Sequence, residues 1–227
     1  MPLKENASIE ITAFRWVPEP AQGLVKDLRI RWALEEAALD YRVRLIGAER
    51  PDGYEKDQPF NQVPCFNDGK VKIFESGAIL QYIGEQSEAL LPRDAQGKFR
   101  AIQWTYAALS SVEPFIQLNA LLTGFWAAEE WAPLARPTID QLAHMRLQQL
   151  ADHLGDNPWL EGDRFTIGDL MMVTVLRLGD RSSQLADFPT LSAYVKRGQA
   201  RPAFARALND QLAAFAANEP QAEGAAA

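Results

Sequence analysis

The stretch NQVPCFNDGKVKIFESGAILQYIGEQ, Asn61–Gln86, decides how the rest of the chain is read. A proline, in Val63-Pro64, stands at the very start of the apolar run Cys65-Phe66. The residues Asn67–Gly69 then predict a tight turn of the kind that joins two antiparallel strands. Val71–Phe74 is typical of the second strand. The stretch therefore predicts a β-hairpin whose first strand is entered through a proline.

The second half of this stretch predicts a helix that begins in a polar pair. Glu75-Ser76 follows the hairpin directly, and the amphipathic segment Gly77–Gln86 comes next. Serine is a favoured N-cap residue, and a helix N-terminus favours a negative charge. The sequence therefore predicts Ser76 as an N-cap and an anion-binding helix start beside it.

This ordered set resembles the glutathione-binding half of the thioredoxin-like domain of the glutathione S-transferase family. The resemblance implies that the bond before Pro64 is cis and that the backbone of Val63 binds the cysteinyl part of glutathione. It further implies that Glu75 binds the γ-glutamyl ammonium and that Ser76, with the helix N-terminus, binds the γ-glutamyl carboxylate. Gln62 matches a family position that contacts the glycine carboxylate. Glutathione is thus the expected co-substrate.

The composition is that of an ordinary globular protein and excludes several other classes. Of 227 residues, 47% are hydrophobic and 23% are charged, and no run approaches the length of a membrane helix. The net charge of −7 without a basic stripe argues against nucleic acid as a partner. The single cysteine, Cys65, excludes an internal disulfide and a dithiol redox site. His144 and His153 have no partner at ligand spacing, so we expect no metal, and the polar first residues predict a cytoplasmic protein.

Outward from the organising stretch, the N-terminal residues predict the rest of an α/β domain. Ile9–Phe14 and Tyr41–Ile46 alternate as strands, and Leu24–Ala38 has a helical period between them. Pro51–Gln58 predicts a weakly helical connection into the hairpin. The order β-α-β-α-β-β-α is thioredoxin-like, and we assign residues 8–86 to this domain.

The remaining chain predicts an all-helical second domain. Residues 87–94 are assigned as a linker, residues 95–216 as helices, and residues 217–227 as a disordered tail. Helix starts are expected at Arg136-Pro137, Phe188-Pro189 and Arg201-Pro202, because proline is tolerated in the first turn. A bend is expected near Glu113-Pro114. This domain also looks like the transferase family, which implies a homodimer.

The catalytic residue that the resemblance leads us to expect is missing. Members of the family use Tyr, Ser or Cys just after the first strand, and none of these occurs between Phe14 and Tyr41. A helix end near Gln22 and a guanidinium on the first helix could favour the thiolate instead. Lys26, Arg29 and Arg31 are the cations available there, and we assign Arg31 together with Gln22 as the activating pair. The chain is therefore read as an atypical, bacterial-type transferase.

The expected reaction is attack of the glutathione thiol on a small apolar electrophile or a hydroperoxide, with a possible peroxidase side activity. Trp104, Tyr106, Trp126 and Trp131 are available for an apolar pocket, although helix-spaced aromatic residues are more often core. Trp16 could cover the site or fill the domain interface. Two alternatives stay open: a glutathione-dependent lyase or isomerase, and a non-catalytic ligand carrier or interaction module.

Overall fold

The computed structural model describes residues 2–181 and 183–220 and contains two domains. The elements, in chain order, are β1 Ile9–Phe14, α1 Asp27–Glu36, β2 Tyr41–Ile46, β3 Cys65–Asn67, β4 Lys72–Phe74, α2 Ser76–Glu85, α3 Ala95–Ala107, α4 Glu113–Thr123, α5 Ala132–Leu154, α6 Ile167–Arg181, α7 Pro189–Gln199 and α8 Pro202–Ala217. No helix among these described residues is long and apolar enough to cross a membrane. Of the expected disordered tail, residues 217–227, Ala217 is the last residue of α8, and residues 221–227 lie outside the described residues.

The N-terminal domain contains a four-stranded mixed sheet in the order β2-β1-β3-β4. Strand β1 runs parallel to β2 and antiparallel to β3, with Ile11 opposite Phe66. β3 and β4 form the predicted hairpin. The thioredoxin-like fold is confirmed, but the connection over Pro51–Gln58 contains only one 3₁₀ turn, Tyr54–Lys56.

The helical domain begins where the linker ends, and the linker itself is well packed. Leu90 and Leu91 are fully buried, and the Leu90 carbonyl accepts a hydrogen bond from the Ile167 N–H. The bend expected near Glu113-Pro114 is present as a single π-helical turn, Ala108–Val112, between α3 and α4. This turn passes close to the N-terminal domain.

One helix start was predicted wrongly. Helix α5 begins at Ala132, four residues before the predicted start, with Pro133 in its first turn and Pro137 inside it. The starts of α7 and α8 at Pro189 and Pro202 agree with the prediction. Proline therefore marks the first turn in all three helices, but α5 carries a second proline that is not a start signal.

Helix α1 holds the two domains together. The Trp32 ring is fully buried and lies 5.5 Å from the Phe165 ring and 4.9 Å from the Phe204 ring. The Glu36 carboxylate accepts hydrogen bonds from Arg201 Nε at 2.6 Å and from Arg201 Nη2 at 2.8 Å. Because α1 packs on the sheet on one side and on the helical domain on the other, its side chains can reach sites on both faces.

Candidate functional site

The loop before β3 presents an unpaired stretch of backbone. The Val63-Pro64 peptide bond is cis, as the resemblance implies, and both residues are buried. Within residues 2–181 and 183–220, the N–H and carbonyl of Val63 have no hydrogen-bond partner. The Tyr54 hydroxyl fixes the preceding residue by donating to the Gln62 carbonyl at 2.7 Å, while the Gln62 side chain is exposed. The segment can therefore pair with an extended peptide along one edge.

The start of α2 places a carboxylate and a hydroxyl next to each other. Glu75 is exposed and has φ of 69° and ψ of 117°, a region that a residue with a Cβ rarely occupies. Such a conformation costs roughly 1–3 kcal/mol, and it is most often found at functional sites. Ser76 is the first helical residue and is 5% exposed.

The predicted N-cap at Ser76 is wrong. The N-cap residue is Glu75, and it makes no side-chain capping hydrogen bond. The Ser76 Oγ instead accepts a hydrogen bond from Arg29 Nη1 at 3.1 Å. The first N–H groups of α2 are thus left for another acceptor, with the Ser76 hydroxyl already oriented beside them.

Arg29 joins Ser76 to the helical domain. Its Nη2 lies 2.6 Å from Glu113 Oε1 on α4, and both side chains are nearly buried, with 6% and 10% exposed. Lys26 Nζ adds a second cation 3.3 Å from the same carboxylate. The Ser76 hydroxyl therefore contacts a guanidinium that is itself paired with a carboxylate of the helical domain.

The charge state of Glu113 follows from these neighbours. Burial of the carboxyl favours its neutral form, but the Arg29 guanidinium outweighs this effect, with help from Lys26, so the pKa of Glu113 lies below its ordinary value. Glu113 is therefore ionised at neutral pH. Helix α2 can lie close to the π-helical turn because Gly77 has no side chain: a Cβ at Gly77 would lie 2.6 Å from Leu109 Cδ1. This close approach makes the contact between Arg29 and Glu113 possible.

Arg31, which we assigned as the activating arginine, does not reach Ser76. Two residues along a helix turn the side chain by about 200°, so Arg29 and Arg31 lie on opposite sides of α1. The Arg31 side chain is 2% exposed, and its Nε donates to Asp27 Oδ2 at 2.8 Å. The structure brings Arg29 to the candidate site in its place.

Gln22 lies farther from the helix than the sequence suggested. Helix α1 begins at Asp27 instead of near Gln22, because Gly23 adopts φ of 76° and the chain makes further turns before the helix. The Gln22 amide donates to the Val17 carbonyl at 3.1 Å and thereby shapes the loop after β1. In the same loop, the Trp16 indole N–H is shielded from solvent and finds no acceptor among the described residues.

The other singled-out side chains have structural contacts. Trp104 donates to Glu161 at 2.8 Å and stacks on His153, while Trp126 stacks on Trp131 in the α4–α5 loop. Arg177 donates to the Gly23 carbonyl at 2.7 Å. Tyr106 is about half exposed, and Cys65 is a buried free thiol. No group of three His, Cys, Asp or Glu side chains in the described part of the chain could hold a metal ion.

The sequence reasoning did not anticipate Glu113, and it singled out Arg31, whereas Arg29 is the arginine that contacts Ser76. The helical spacing of Lys26 and Arg29, three residues apart on one face, is a signal that could have favoured Arg29. No comparable signal exists for Glu113, which lies 84 residues away and meets Arg29 only through the docking of two domains.

Both halves of the chain match models of one family. Residues 22–85 match the model described as glutathione S-transferase, N-terminal domain, and residues 135–202 match the model described as glutathione S-transferase, C-terminal domain. Glutathione S-transferase F7 of Arabidopsis thaliana is 30% identical over 204 residues, which cover 79% of this chain and 92% of that protein. The disulfide-bond oxidoreductase YfcG of Escherichia coli K12 is 27% identical over 193 residues, covering 79% of this chain and 88% of the relative.

Solved structures give the same fold. A glutathione transferase family member from Pseudomonas fluorescens Pf-5, crystallised with two glutathione molecules, superposes with a TM-score of 0.77 at 24% identity and covers 88% of this chain and 92% of its own. The glutathione transferase URE2P8 of Phanerochaete chrysosporium, crystallised with oxidized glutathione, gives a TM-score of 0.77 at 19% identity, covering 94% of this chain and 99% of its own. The two family models lie in the two domains described above, which are joined by the Arg29–Glu113 contact. The chain belongs to the glutathione S-transferase family.

Proposed function

We propose that this enzyme binds glutathione between the Val63 backbone and the start of α2, and that it activates the thiol by electrostatics instead of by a hydroxyl group. The observation that carries the proposal is the nearly buried Arg29, hydrogen-bonded to Ser76 and balanced by Glu113. A buried guanidinium beside a binding serine favours any anion bound there.

Each part of glutathione has a matching group in this site. The γ-glutamyl carboxylate is bound by the Ser76 hydroxyl and the first N–H groups of α2, and its ammonium by the exposed Glu75 carboxylate. The cysteinyl amide pairs with the unpaired N–H and carbonyl of Val63. The exposed side chain of Gln62, directly before Val63, is assigned to the glycine carboxylate.

The chemical step needs the thiolate. The pKa of a free thiol is about 8.5, so a positive potential that lowers it raises the reactive fraction at neutral pH. The Arg29 guanidinium, whose Nη1 lies 3.1 Å from Ser76 Oγ, supplies the positive charge in this site. The thiolate sulfur then forms a bond to the electrophilic atom of an apolar substrate as the leaving group departs with its electron pair. This is conjugation of the kind used in detoxification.

An ultraviolet titration of bound glutathione tests the proposal. We expect the thiol pKa of bound glutathione to lie below about 8.5 in the wild type, to remain low in Arg29→Lys, and to rise in the double variant Arg29→Met/Glu113→Leu. The double variant removes both charges, so it leaves no buried ion without a partner. The pair Arg31→Met/Asp27→Leu on the opposite side of α1 is the matched control and should leave the thiol pKa unchanged. A wild-type thiol pKa at its free value would contradict activation and favour a ligand carrier.

Reduction of disulfides is a second candidate function, favoured by the similarity to YfcG, whose name describes a disulfide-bond oxidoreductase. In this reaction one glutathione thiolate attacks a substrate disulfide and releases one thiol. A second glutathione then attacks the mixed disulfide, so that two glutathione molecules become oxidized glutathione and the substrate gains two protons and two electrons. Hydroperoxide reduction is the matching side activity, with an alcohol and water as products. Neither reaction needs a protein cysteine, which fits a chain whose single thiol, Cys65, is buried.

Product analysis separates the two functions. Incubation with glutathione and a small disulfide yields oxidized glutathione in stoichiometric amount if the chain is a reductase. Incubation with an aromatic halide yields a thioether conjugate if it is a transferase. The Cys65→Ser variant should retain either activity.

We further propose that the chain is a cytoplasmic homodimer. The Phe60 ring is 66% exposed although it makes an edge-to-face contact with the Phe74 ring, with the ring centroids 6.2 Å apart, and Phe99 is equally exposed on α3. A contiguous exposed apolar patch marks an interface, and a second copy of the chain would cover these two rings if they belong to one. Analytical ultracentrifugation should give a dimer for the wild type and a monomer for Phe60→Ser. A cytoplasmic location suits an enzyme that uses reduced glutathione, because that compartment keeps thiols reduced.

A further inference from the structure

Two buried hydroxyl groups lie behind the loop that presents the Val63 backbone. Tyr54 belongs to the 3₁₀ turn between β2 and β3, and Thr12 lies in β1. Each of these two residues is only 2% exposed. Because both side chains are buried, any effect that they have on a bound ligand must act through the backbone that they contact.

The hydrogen bonds of these hydroxyl groups form a chain that runs from Cys65 to Gln62. The Tyr54 hydroxyl has one proton, and the Gln62 carbonyl, which can only accept, lies 2.7 Å from it. The Tyr54 oxygen can then accept from the Thr12 hydroxyl, 3.1 Å away. The Thr12 oxygen in turn accepts from the Cys65 N–H at 2.7 Å. Burial raises the pKa of the Tyr54 hydroxyl, so the tyrosine keeps the proton that it donates.

This chain fixes the peptide groups on both sides of Val63-Pro64. The Gln62 carbonyl and the Val63 N–H belong to one trans peptide group, in which they point in opposite directions. Since the carbonyl points inward to Tyr54, the Val63 N–H points outward, where no described residue accepts it. The Cys65 N–H belongs to the peptide group that follows Pro64. The loop is therefore held from behind at two points.

The hydrogen bond to the Gln62 carbonyl also affects how strongly the Val63 N–H can donate. A carbonyl that accepts a hydrogen bond draws electron density from the nitrogen of its own peptide group, and successive hydrogen bonds in a buried chain strengthen one another by about 10–30% per bond. Tyr54 therefore both orients the Val63 N–H and makes it a better donor.

We propose that Tyr54 and Thr12 are positioning residues for glutathione binding, because they orient and polarise the Val63 N–H that donates to the cysteinyl part of the ligand. This inference rests on the glutathione site proposed above. It adds that the affinity depends on two side chains that never touch the ligand. It also gives a role to the connection between β2 and β3, whose 3₁₀ turn supplies Tyr54.

Calorimetric titration of the full chain with glutathione tests the proposal. Tyr54→Phe keeps the ring and removes the hydroxyl, and we expect its Kd to rise by about 3–10-fold, which corresponds to one neutral hydrogen bond. The matched control is Tyr82→Phe, which also loses one tyrosine hydrogen bond, to Asp68 at 2.8 Å in the hairpin turn. The Kd of this control should stay within about twofold of the wild-type value.

Substitutions of Thr12 test whether the two hydroxyl groups act as one chain. Thr12→Val removes the hydroxyl and should raise the Kd by about 3–10-fold, whereas Thr12→Ser keeps the hydroxyl and should bind like the wild type. The double variant Thr12→Val/Tyr54→Phe should bind no more than about twofold more weakly than the weaker single variant, because members of one hydrogen-bond network are not additive. Two unrelated defects would instead multiply.

Nuclear magnetic resonance of the isotopically labelled chain without glutathione gives a readout that does not depend on the ligand. Tyr54→Phe should move the Gln62 carbonyl carbon resonance upfield and shift the Val63 amide resonances, and Tyr82→Phe should leave both unchanged. Shifts that spread evenly over the sheet would indicate general loosening of the fold and would overturn the positioning role.

The remaining outcomes separate this inference from the proposed function. If the wild type binds glutathione and Tyr54→Phe binds it equally well, the positioning role is wrong and the glutathione site stands. The positioning role is also wrong if the Thr12→Val and Tyr54→Phe losses multiply, or if Thr12→Ser fails to restore binding. A wild type that does not bind glutathione overturns the proposed function and this inference together.

Discussion

The Arg29–Glu113 ion pair allows a sharp prediction about stability, because its two members lie in different domains. We consider three variants of the full chain: Arg29→Met, Glu113→Leu, and both together. Each single substitution leaves one charge in a place that water hardly reaches, since the side chains are 6% and 10% exposed. The double substitution removes both charges and keeps most of the side-chain volume.

The size of the effect follows from burial and from the neighbours. Breaking a buried ion pair by removing one partner costs about 3–5 kcal/mol, whereas replacing both partners with apolar residues is often close to neutral. The cost of Arg29→Met should lie at the lower end of this range, because Lys26 remains 3.3 Å from the Glu113 carboxylate. The two single costs should therefore exceed the cost of the double variant by at least about 3 kcal/mol.

Urea unfolding of the four proteins at neutral pH measures this difference. Acid adds a second test, because the folded pKa of Glu113 lies below its unfolded value. Such a carboxyl contributes stability that is present above the unfolded pKa and is lost as the pH falls through the folded pKa. The double variant should lack this part of the acid sensitivity. Single costs below about 1 kcal/mol, or costs that simply add, would refute the reasoning.

Three further predictions concern single side chains. Ser76→Ala should weaken glutathione binding by about 10–100-fold in a calorimetric titration, because a hydrogen bond to a charged group is lost. Its unfolding free energy should fall by about 1–3 kcal/mol, because Arg29 Nη1 loses a buried acceptor. Asp169→Asn should lower the unfolding free energy by about 2–4 kcal/mol in urea, since this fully buried carboxylate accepts from two backbone N–H groups and from Tyr194. A loss below about 1 kcal/mol would contradict this prediction. Gly168→Ala should lower the unfolding free energy by about 1–3 kcal/mol, because the added Cβ would lie 2.6 Å from Trp104 Cβ. An unchanged melting temperature would contradict this clash.

Local signals predicted most of the N-terminal domain. Strands β1 and β2 have the predicted bounds, Ile9–Phe14 and Tyr41–Ile46, because the alternation of apolar and polar residue types along a strand is a local property of the sequence. The hairpin turn at Asn67–Gly69 was likewise predictable from local sequence, since it is held by a hydrogen bond within the turn, in which Asn67 Oδ1 accepts from the Gly69 N–H. Helix α5 was predicted less well, because its two prolines gave competing start signals.

The candidate site was only partly predictable for a physical reason. The predicted glutathione-binding residues form short runs around Val63-Pro64 and Glu75-Ser76, and their family pattern could be read from the chain. The identity of the activating cation depends on which face of α1 meets α2. The composition of a helix with three cations close together does not indicate which face that is. Its counter-ion, Glu113, is set by domain docking, which no local pattern encodes.

The partner of Arg29 also sets an order of events during synthesis. Arg29 and Glu113 are 84 residues apart in the chain. At a synthesis rate of about 5–20 residues per second, the arginine is made roughly 4–17 seconds before the carboxylate that neutralises it. Ser76 is made 47 residues after Arg29, so in the later part of that interval both groups exist while the guanidinium has no fixed counter-ion. Competence to hold glutathione in the final geometry therefore arises only after the helical domain has been translated as far as α4.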